Sequence, residues 1–477
     1  MRRSKLGNMI KKEKLNKKQR YALDTMLSGS NVFLTGDAGT GKTTVIQTFI
    51  QEAEEMGKNV LVSATTGIAA DNIGYGAMTV HRALNISVRF EEYRKKVKSR
   101  VDLLKEADVL IIDEISMCRF DLFNVIAKTI FLENEERAVE RLLKGEDKED
   151  LQLIVIGDFY QLPPVITQSD RNILCRMYGS EYGKGGKYEQ GYAFMSAYWK
   201  DMGFEYIKLD EVCRQNDEGF KYVLNDIKYG NNIRKSISYL EKNEAGKVIP
   251  EAPFLVGTNA EADRINQTFL NKLKKETERV FHAQVSGELE SADIRNINFA
   301  KEELILNIGA KIMITVNDLS GDYVNGTIGI IQKIVGNEEF EEPYLRIRTD
   351  KGKTINLYQH SKEIEKQVIE ESEQEIEGQK IIKEKIVRKK VGSFSQFPVK
   401  LAWAISIHKS QGQTFEKINI DPCCWDPGQF YVAVSRAKSA SGIHFIRPIK
   451  QSYIKAFSKE NEQLLEQSFE VEGSVGV

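Results

Sequence analysis

Two α/β units on parallel sheets, the second interrupted by a small β-barrel, are what this sequence predicts. Three observations carry that expectation. Over the first 205 residues, short continuous runs of β-branched and apolar residues alternate with helix-spaced stretches, the pattern of strands covered on both faces. The polar motifs fall where those runs end, the edge at which open α/β sheets bind ligands. From Ile308 the pattern changes to short strands separated by turns, and strand character of the first kind returns near Val399.

The elements follow in chain order. Residues 1–20 carry Arg2, Arg3, Lys5, Lys11, Lys12, Lys14, Lys17, Lys18 and Arg20 against a single Glu13, and read as a solvated tail leading into a helix. Gln19 stands just before that helix, and its amide offers the donor and acceptor that pair with an adenine edge. Asn31 to Thr35 reads as a buried strand. Gly36 to Thr43, Gly-Asp-Ala-Gly-Thr-Gly-Lys-Thr, matches G-x-x-x-x-G-K-[ST] and opens a helix. That strand–loop–helix context is what a phosphate-binding loop requires: glycines let N–H groups turn inward around a polyanion, and the helix N-terminus adds partial positive charge. Backbone from Gly36 through Asp37, Ala38, Gly39, Thr40 and Gly41 to Thr44 would line the phosphates. Lys42 would reach the β- and γ-phosphates, and the Thr43 hydroxyl would hold Mg²⁺. An ordinary Gly-rich turn is the bland alternative, and the Lys-Thr pair in this context disfavours it.

Further strands are expected at Asn59–Ala64, Asp108–Asp113 and Leu151–Asp158, each running into a polar motif. Residues 131–150 read as a charged, helical, solvated extension. A new α/β unit is expected from Tyr206, with a strand at Pro253–Gly257 and a helix over Asn259–Leu273. Short strands at Ala310–Val316, Gly326–Val335, Tyr344–Arg348 and Thr354–Tyr358 form the barrel. Residues 361–390 place seven glutamates before Gly378 and six cations after it. Ion-paired antiparallel arms, as a hairpin or a helical pair, would explain that asymmetry; a disordered charged loop would too. Strands are expected at Val399–Ile407, Tyr431–Val434 and Ile443–Ile446.

Bulk composition narrows the class. At 477 residues with 41% hydrophobic and 29% charged content, the chain is expected to be a soluble, cytoplasmic protein of several domains, nucleoid-associated if bacterial. No apolar run approaches the ~20 residues that span a bilayer. The five cysteines show no C-x-x-C spacing, so reduced thiols and no zinc site are expected. A net charge of −1 decides nothing about polyanionic partners, since a basic groove can be offset elsewhere.

Asp113 and Glu114, adjacent carboxylates ending an apolar strand, suit two jobs: holding Mg²⁺ and polarising the attacking water. Alone they would read as a helix-capping pair; beside a phosphate loop they do not. Gln161 follows the fourth strand and can bond both a γ-phosphate and water. Cations at the developing charge are worth about 10³–10⁵ in rate, and Arg214 and Arg436 are the candidates. Since both lie outside the expected first sheet, a nucleotide gripped from two domains would make a motor rather than a metabolic kinase. Hydroxyls and amides in Thr65-Thr66-Gly67 and His408-Lys409-Ser410-Gln411 can bind phosphates without reading sequence. Phe90, Phe159, Tyr160 and Trp403 could stack bases, although core packing is the better reading of Trp403.

These motifs carry a resemblance. Gly36–Thr43, Thr66-Gly67-Ile68-Ala69-Ala70, Asp113-Glu114-Ile115-Ser116-Met117, Gly157–Val165, Leu401–Gly412 and Tyr431–Ala437 stand in the order found in superfamily-one DNA helicases. The wording looks like the Pif branch, related to RecD-like enzymes. Asn325-Gly326-Thr327-Ile328-Gly329 and Gly392–Pro398 match it as well, and residues 117–130 look like its signature region. The resemblance covers about residues 14–447. It implies two RecA-like P-loop parallel-sheet domains with a small SH3-like β-barrel inserted in the second. Residues 1–205 would be the first, with a wedge near 82–100; 206–307 and 398–450 the second; 308–397 the insertion, with 361–390 as its charged arm; and 451–477 a C-terminal tail.

The resemblance also implies ATP and Mg²⁺ as cofactors and 5′-to-3′ translocation on single-stranded DNA by a monomer that unwinds tailed duplex, in replication, repair, recombination or telomere and G-quadruplex maintenance. It places Gln19 on adenine, Gly412 at the nucleotide, and Arg214 and Arg436 on the γ-phosphate. It puts Thr65, His81, Phe159, Pro163, His408, Ser410 and Gln411 along the DNA. Rival readings are a DNA-stimulated translocase that strips bound proteins with little unwinding, a small-molecule phosphotransferase, and a silent DNA-binding scaffold. The phosphotransferase leaves Gln161, Arg214 and Arg436 without a job, and the scaffold does not explain intact Lys42 and Glu114.

Overall fold

Six short strands line up in one sheet, the inner ones largely buried runs of β-branched and apolar residues and the two at its edges partly exposed. They are β1 (Val32–Gly36), β2 (Val60–Ala64), β3 (Met78–Thr79), β4 (Val109–Asp113), β5 (Gln152–Ile156) and β6 (Glu205–Leu209). All pair in parallel, in the order β3-β2-β4-β5-β1-β6. Helices α1 (Lys17–Leu27) and α2 (Lys42–Glu55) flank β1 in sequence, and Phe49, Ile50, Ile111 and Ile154 share one buried core with them. The computed structural model describes residues 15–469 apart from 74, 76, 87–101, 145–148, 212–216, 251, 290–293, 295–296, 298, 317, 319–321, 324–325, 337–341, 351, 377–378 and 412. Most of the expected wedge, Phe90, Arg214, Asn325, Gly378 and Gly412 therefore lie outside the described residues.

The chain divides into two compact units: residues up to Glu244 with Pro422–Ser441 and those from Pro448 onward, and Ala245–Asp421 with Gly442–Arg447. These limits differ from the domain boundaries expected from sequence. Strand β6 pairs with β1 over five residues, from Val32 opposite Glu205 to Gly36 opposite Leu209, so the first sheet continues past residue 205. Nor are the C-terminal residues a tail. The Lys459–Gln467 helix belongs to the first unit, Phe457 and Leu465 enter its core, and Phe469 stacks on Phe33 at 5.9 Å between centroids.

The expected helical, solvated extension at 131–150 is borne out over 131–143, where every residue but Arg137 is exposed or half-buried. A single helix runs Phe120–Lys144, and Arg137 on it is buried. Its guanidinium donates to the carbonyls of Leu104, Ala107 and Glu149 at 2.6–3.0 Å and to Glu133 at 2.9 Å. A planar five-donor group suits that task, since it satisfies several buried acceptors at once.

The second unit holds β7 (Phe254–Val256), β8 (Arg279–His282), β9 (Gln284–Gly287), β10 (Glu303–Leu306), β11 (Lys311–Ile314), β12 (Ile328–Val335), β13 (Tyr344–Thr349), β14 (Thr354–Tyr358), β15 (His360–Ile376), β16 (Gln379–Gln396), β17 (Val399–Leu401), β18 (Ala404–Ser406), β19 (Ile418–Ile420) and β20 (Ile443–Phe445). A second parallel sheet has the order β18-β7-β19-β20. A five-stranded antiparallel sheet, β14-β13-β12-β11-β17, stands where the barrel is expected. The β-rich part begins earlier than residue 308, because β8 and β10 already pair antiparallel. The charged arm is the β15–β16 hairpin, whose register sets Glu365 opposite Lys390, Glu370 opposite Lys385 and Glu375 opposite Lys380.

Two strand expectations are corrected. Val399–Ile407 is not one strand: β17 belongs to the antiparallel sheet and β18 to the parallel one, and between them Trp403 stacks on Phe269 at 5.8 Å. Tyr431–Val434 lies in a helix, Gln429–Ser435, with all seven residues buried. A helix buried all round shows no polar face, so its apolar run looks like a buried strand.

Candidate active site

Every element of this site belongs to the first unit. Strand β1 ends at the Gly36–Thr43 loop, where Gly41 takes φ 85° as N-cap of α2. A Cβ there would lie 2.5 Å from the Gln19 Nε2 atom, so only glycine admits the contact. Lys42 Nζ donates to the Gly36 carbonyl at 2.6 Å and the Asp37 carbonyl at 3.1 Å, which holds the ammonium over the loop. Burial lowers its pKa, against the opposing pull of Asp158 and Glu114. Thr43 is exposed and Thr44 half-buried at the start of α2.

Gln19 is the third residue of α1 rather than lying ahead of it, and its amide already has two partners. Nε2 donates to the Thr40 carbonyl at 3.0 Å, and the side-chain oxygen accepts from the Asn16 N–H in a capping box. One N–H and one lone pair of the amide remain for a ligand.

Strand β4 delivers Asp113 and Glu114. The chain turns sharply there: Glu114 takes φ 55°, an uncommon conformation for a residue with a side chain, and donates its N–H to Asp113 Oδ1 at 2.8 Å. Burial raises the pKa of both carboxyls; for Glu114 the Asp113 charge raises it further, while Lys42 and Arg436 pull it back. Arg436 therefore acts on Glu114 electrostatically. It is 1% exposed, and its guanidinium is held by the Val432 carbonyl and Ser435 Oγ, each at 2.9 Å.

Strand β5 delivers Asp158, whose Oδ1 accepts from the Tyr160 N–H and whose Oδ2 accepts from Gln161 Nε2 at 3.3 Å. The helix bearing Arg436 presses on the same loop. Gly428, at φ 72°, would bring a Cβ within 2.3 Å of the Gln161 carbonyl and 2.5 Å of the Tyr160 carbonyl. Any side chain there would push the two segments apart.

Sequence reasoning missed Lys228. It lies on the buried face of the Glu218–Tyr229 helix, is 2% exposed, and ion-pairs with both Asp37 and Asp158. Burial opposes its charge, yet Asp158, Tyr431 and Asp37 outweigh it and raise its pKa well above that of an ordinary lysine. The available signal was periodicity: Phe220, Val223, Leu224 and Ile227 mark the core-facing stripe, and Lys228 falls on it. A cleft of about 240 Å³ opens beside the loop, lined by Asp37, Ala38, Leu224, Lys228, Tyr431 and Ser435 among others.

Lys42, Asp113, Glu114, Asp158 and Arg436 thus converge, with Gln161 tied in through Asp158. The residues expected along DNA fare differently. Phe159 is 1% exposed, packed against Phe33, Tyr192, Phe194 and Trp199, so it is a core ring rather than a base-stacking one. Pro163 is buried too, and Ser410 is buried with its hydroxyl donating to the Ile407 carbonyl. Neither presents a surface to a strand. Gln411 is largely buried and His408 half-buried. Thr65 Oγ1 donates to the Glu114 carbonyl at 2.9 Å, and burial and Arg119 lower the His81 pKa.

A divalent cation fits this donor set. Asp113 and Thr43 are hard oxygen donors at the end of β4 and the start of α2. Among the described residues no group of three or more His, Cys, Asp or Glu could hold a metal alone. Phosphate oxygens and water would complete the shell, as is usual for Mg²⁺. Among the same residues no helix is long and apolar enough to cross a membrane.

Comparison with known proteins gives a consistent result. Residues 14–248 match the model of the PIF1-like helicase family. The chain is 32% identical over 440 residues to the ATP-dependent DNA helicase Pif1 of Campylobacter jejuni, covering 87% of this chain and 88% of that protein. It is 30% identical over 444 residues to the protein of the same name in Bdellovibrio bacteriovorus, covering 91% and 88%. Among solved structures, Bacteroides sp Pif1 in complex with ADP-AlF4 superposes with a TM-score of 0.71 at 29% identity over 95% of this chain and 96% of that one. Bacteroides Pif1 bound to ssDNA gives 0.60 at 29% identity, with the same coverage.

Proposed function

Because the chain belongs to the PIF1-like helicase family, we propose that it is an ATP-dependent DNA helicase in which hydrolysis at the site just described drives movement along single-stranded DNA, in the 5′-to-3′ direction. The observation that carries the reading is the convergence of half-buried Lys42, Asp113 and Glu114 with buried Arg436 in one electrostatic cluster. A phosphate loop alone binds nucleotide. A loop facing a desolvated carboxyl pair and a buried arginine can hydrolyse it. That Bacteroides Pif1 has been solved with ADP-AlF4 and with ssDNA supports both ligands for this chain.

In this reading the loop N–H groups and Lys42 hold the β- and γ-phosphates, and Gln19 offers its remaining amide groups to adenine. Thr43 and Asp113 would hold Mg²⁺, which would supply charge neutralisation at the phosphates. Glu114 orients the attacking water; burial and the Asp113 charge raise its basicity, with Lys42 and then Arg436 pulling the other way. Arg436, with Arg214, then offsets charge on the departing phosphate. Gln161, whose amide is held by Asp158, would sense the same phosphate, a role its bond to that carboxylate supports. Thr65, His81 and His408 would supply contacts to the DNA backbone that carry no sequence information, whereas Gln411 is too buried to do so.

The test is phosphate release with and without single-stranded DNA. Hydrolysis is expected to rise steeply with added strand and to vanish when the divalent cation is chelated. Turnover indifferent to DNA would overturn the reading and favour a small-molecule phosphotransferase.

A further inference from the structure

The mechanism above leaves the buried charge beside its phosphate loop, Lys228, unused. Lys228 stands at the meeting point of two neighbouring strand ends, since Asp37 follows β1, Asp158 follows β5, and those strands pair. Three tyrosine rings complete its surroundings, with Nζ 4.6 Å from the Tyr160 centroid, 5.7 Å from Tyr229 and 5.8 Å from Tyr431. An ammonium has three donors and no acceptor, so in this cage it can only bind anions and ring faces.

We propose that Lys228 is a positioning residue for hydrolysis: by tying Asp37 of the phosphate loop to Asp158, it fixes the carboxylate from which the Gln161 amide hangs. The inference rests on the hydrolytic reading given above. Its logic is the connectivity of Asp158. One carboxylate oxygen accepts from the Tyr160 N–H, and the other accepts from both Gln161 Nε2 and Lys228 Nζ. Without the ammonium, a carboxylate 1% exposed loses the ion-pair partner that holds it in place. Gln161 then loses its anchor. The same ammonium holds Asp37, so the phosphate loop and the hydrolysis-side loop share one pin. Tyr431, on the helix that leads into Arg436, packs against that pin. Lys228 thereby aligns three segments that must meet the same phosphate, touching the reacting atoms with none of its own.

The experiment uses the full chain, steady-state ATP hydrolysis with saturating single-stranded DNA, and binding of a fluorescent ADP analogue. Lys228→Met is expected to lower kcat on the order of 10²-fold, the cost of a small misplacement, while analogue affinity stays within about threefold because Lys42 and the loop backbone are untouched. Lys228→Arg, which keeps the charge, is expected to recover most of the rate. Should Lys228→Met fail to fold, Lys228→Met/Asp158→Asn removes both buried charges together and avoids stranding one. It is expected to fold, bind the analogue and remain as slow. A folded variant of either kind with kcat within about threefold of the parent overturns the proposal. So does a loss of affinity as large as the loss of kcat, which marks a plain structural staple. Failure of the parent chain to respond to DNA would count against the helicase reading instead, and is seen before any variant is made.

Discussion

Lys42→Ala is expected to reduce ATP turnover by on the order of 10³-fold, the upper range for removing one preorganised charge from a reacting centre, and to abolish strand separation with it. The structure says why the loss should be so large. Lys42 is placed by hydrogen bonds on the Gly36 and Asp37 carbonyls, and among the described residues it is one of the few positive charges acting on Asp113 and Glu114. Its removal strips the phosphates of their first counter-charge and pushes both carboxyl pKa values further up, so that less of Glu114 is ionised. Both effects point the same way. The protein should stay folded, because the loop is held by its own bonds from Thr40 to the Asp37 carbonyl and from Gln19 to the Thr40 carbonyl. Hydrolysis by a folded Lys42→Ala variant within about tenfold of the parent would defeat the assignment of the loop.

Arg436→Ala is expected to cost about 10³–10⁵ in kcat, the range for an arginine that meets charge developing on a phosphate, with nucleotide affinity little changed. The distinction matters because Arg436 could serve binding instead. Removing an arginine engaged equally before and during reaction would raise KM and leave kcat alone. Its position favours the transition state: it is buried, oriented by Val432 and Ser435, and electrostatically linked to Glu114, the group assigned to the water. Arg436→Lys should fall between the two, since it keeps the charge but loses the planar fork held by its neighbours. Steady-state kinetics with a parallel measurement of ADP affinity separates these outcomes. A fall in affinity alone would make Arg436 a binding residue.

The parts of this site that could be read from sequence are those whose geometry is local. Gly36–Thr43 and Asp113-Glu114 each sit at the end of a short apolar strand, and strand, turn and side chain are fixed within about ten residues. Lys228 was not legible because its partners lie 191 and 70 residues away, and a lysine on an apolar stripe reads as a surface residue until those carboxylates are seen. Phe159 illustrates the reverse error: its motif suggests a base-stacking ring, whereas the four rings around it come from β1 and from the distant 192–199 segment. The Gln429–Ser435 helix was read as a strand because burial on every side erased the period that separates the two. Residues after 450 were read as a tail because Phe457, Leu465 and Phe469 gain meaning only against a core assembled from the first 205 residues. Tertiary contact decided all four.

The central claim is that hydrolysis in this cluster becomes directed motion on one DNA strand, and strand separation on matched duplexes tests it most directly. Two substrates of identical duplex, one with a 5′ single-stranded tail and one with a 3′ tail, are incubated with the chain, ATP and Mg²⁺, and released strand is followed in time. Release from the 5′-tailed duplex, with the 3′-tailed duplex left intact, is the predicted result. Brisk hydrolysis with neither duplex opened would contradict it, and would leave a DNA-stimulated translocase in place of a helicase.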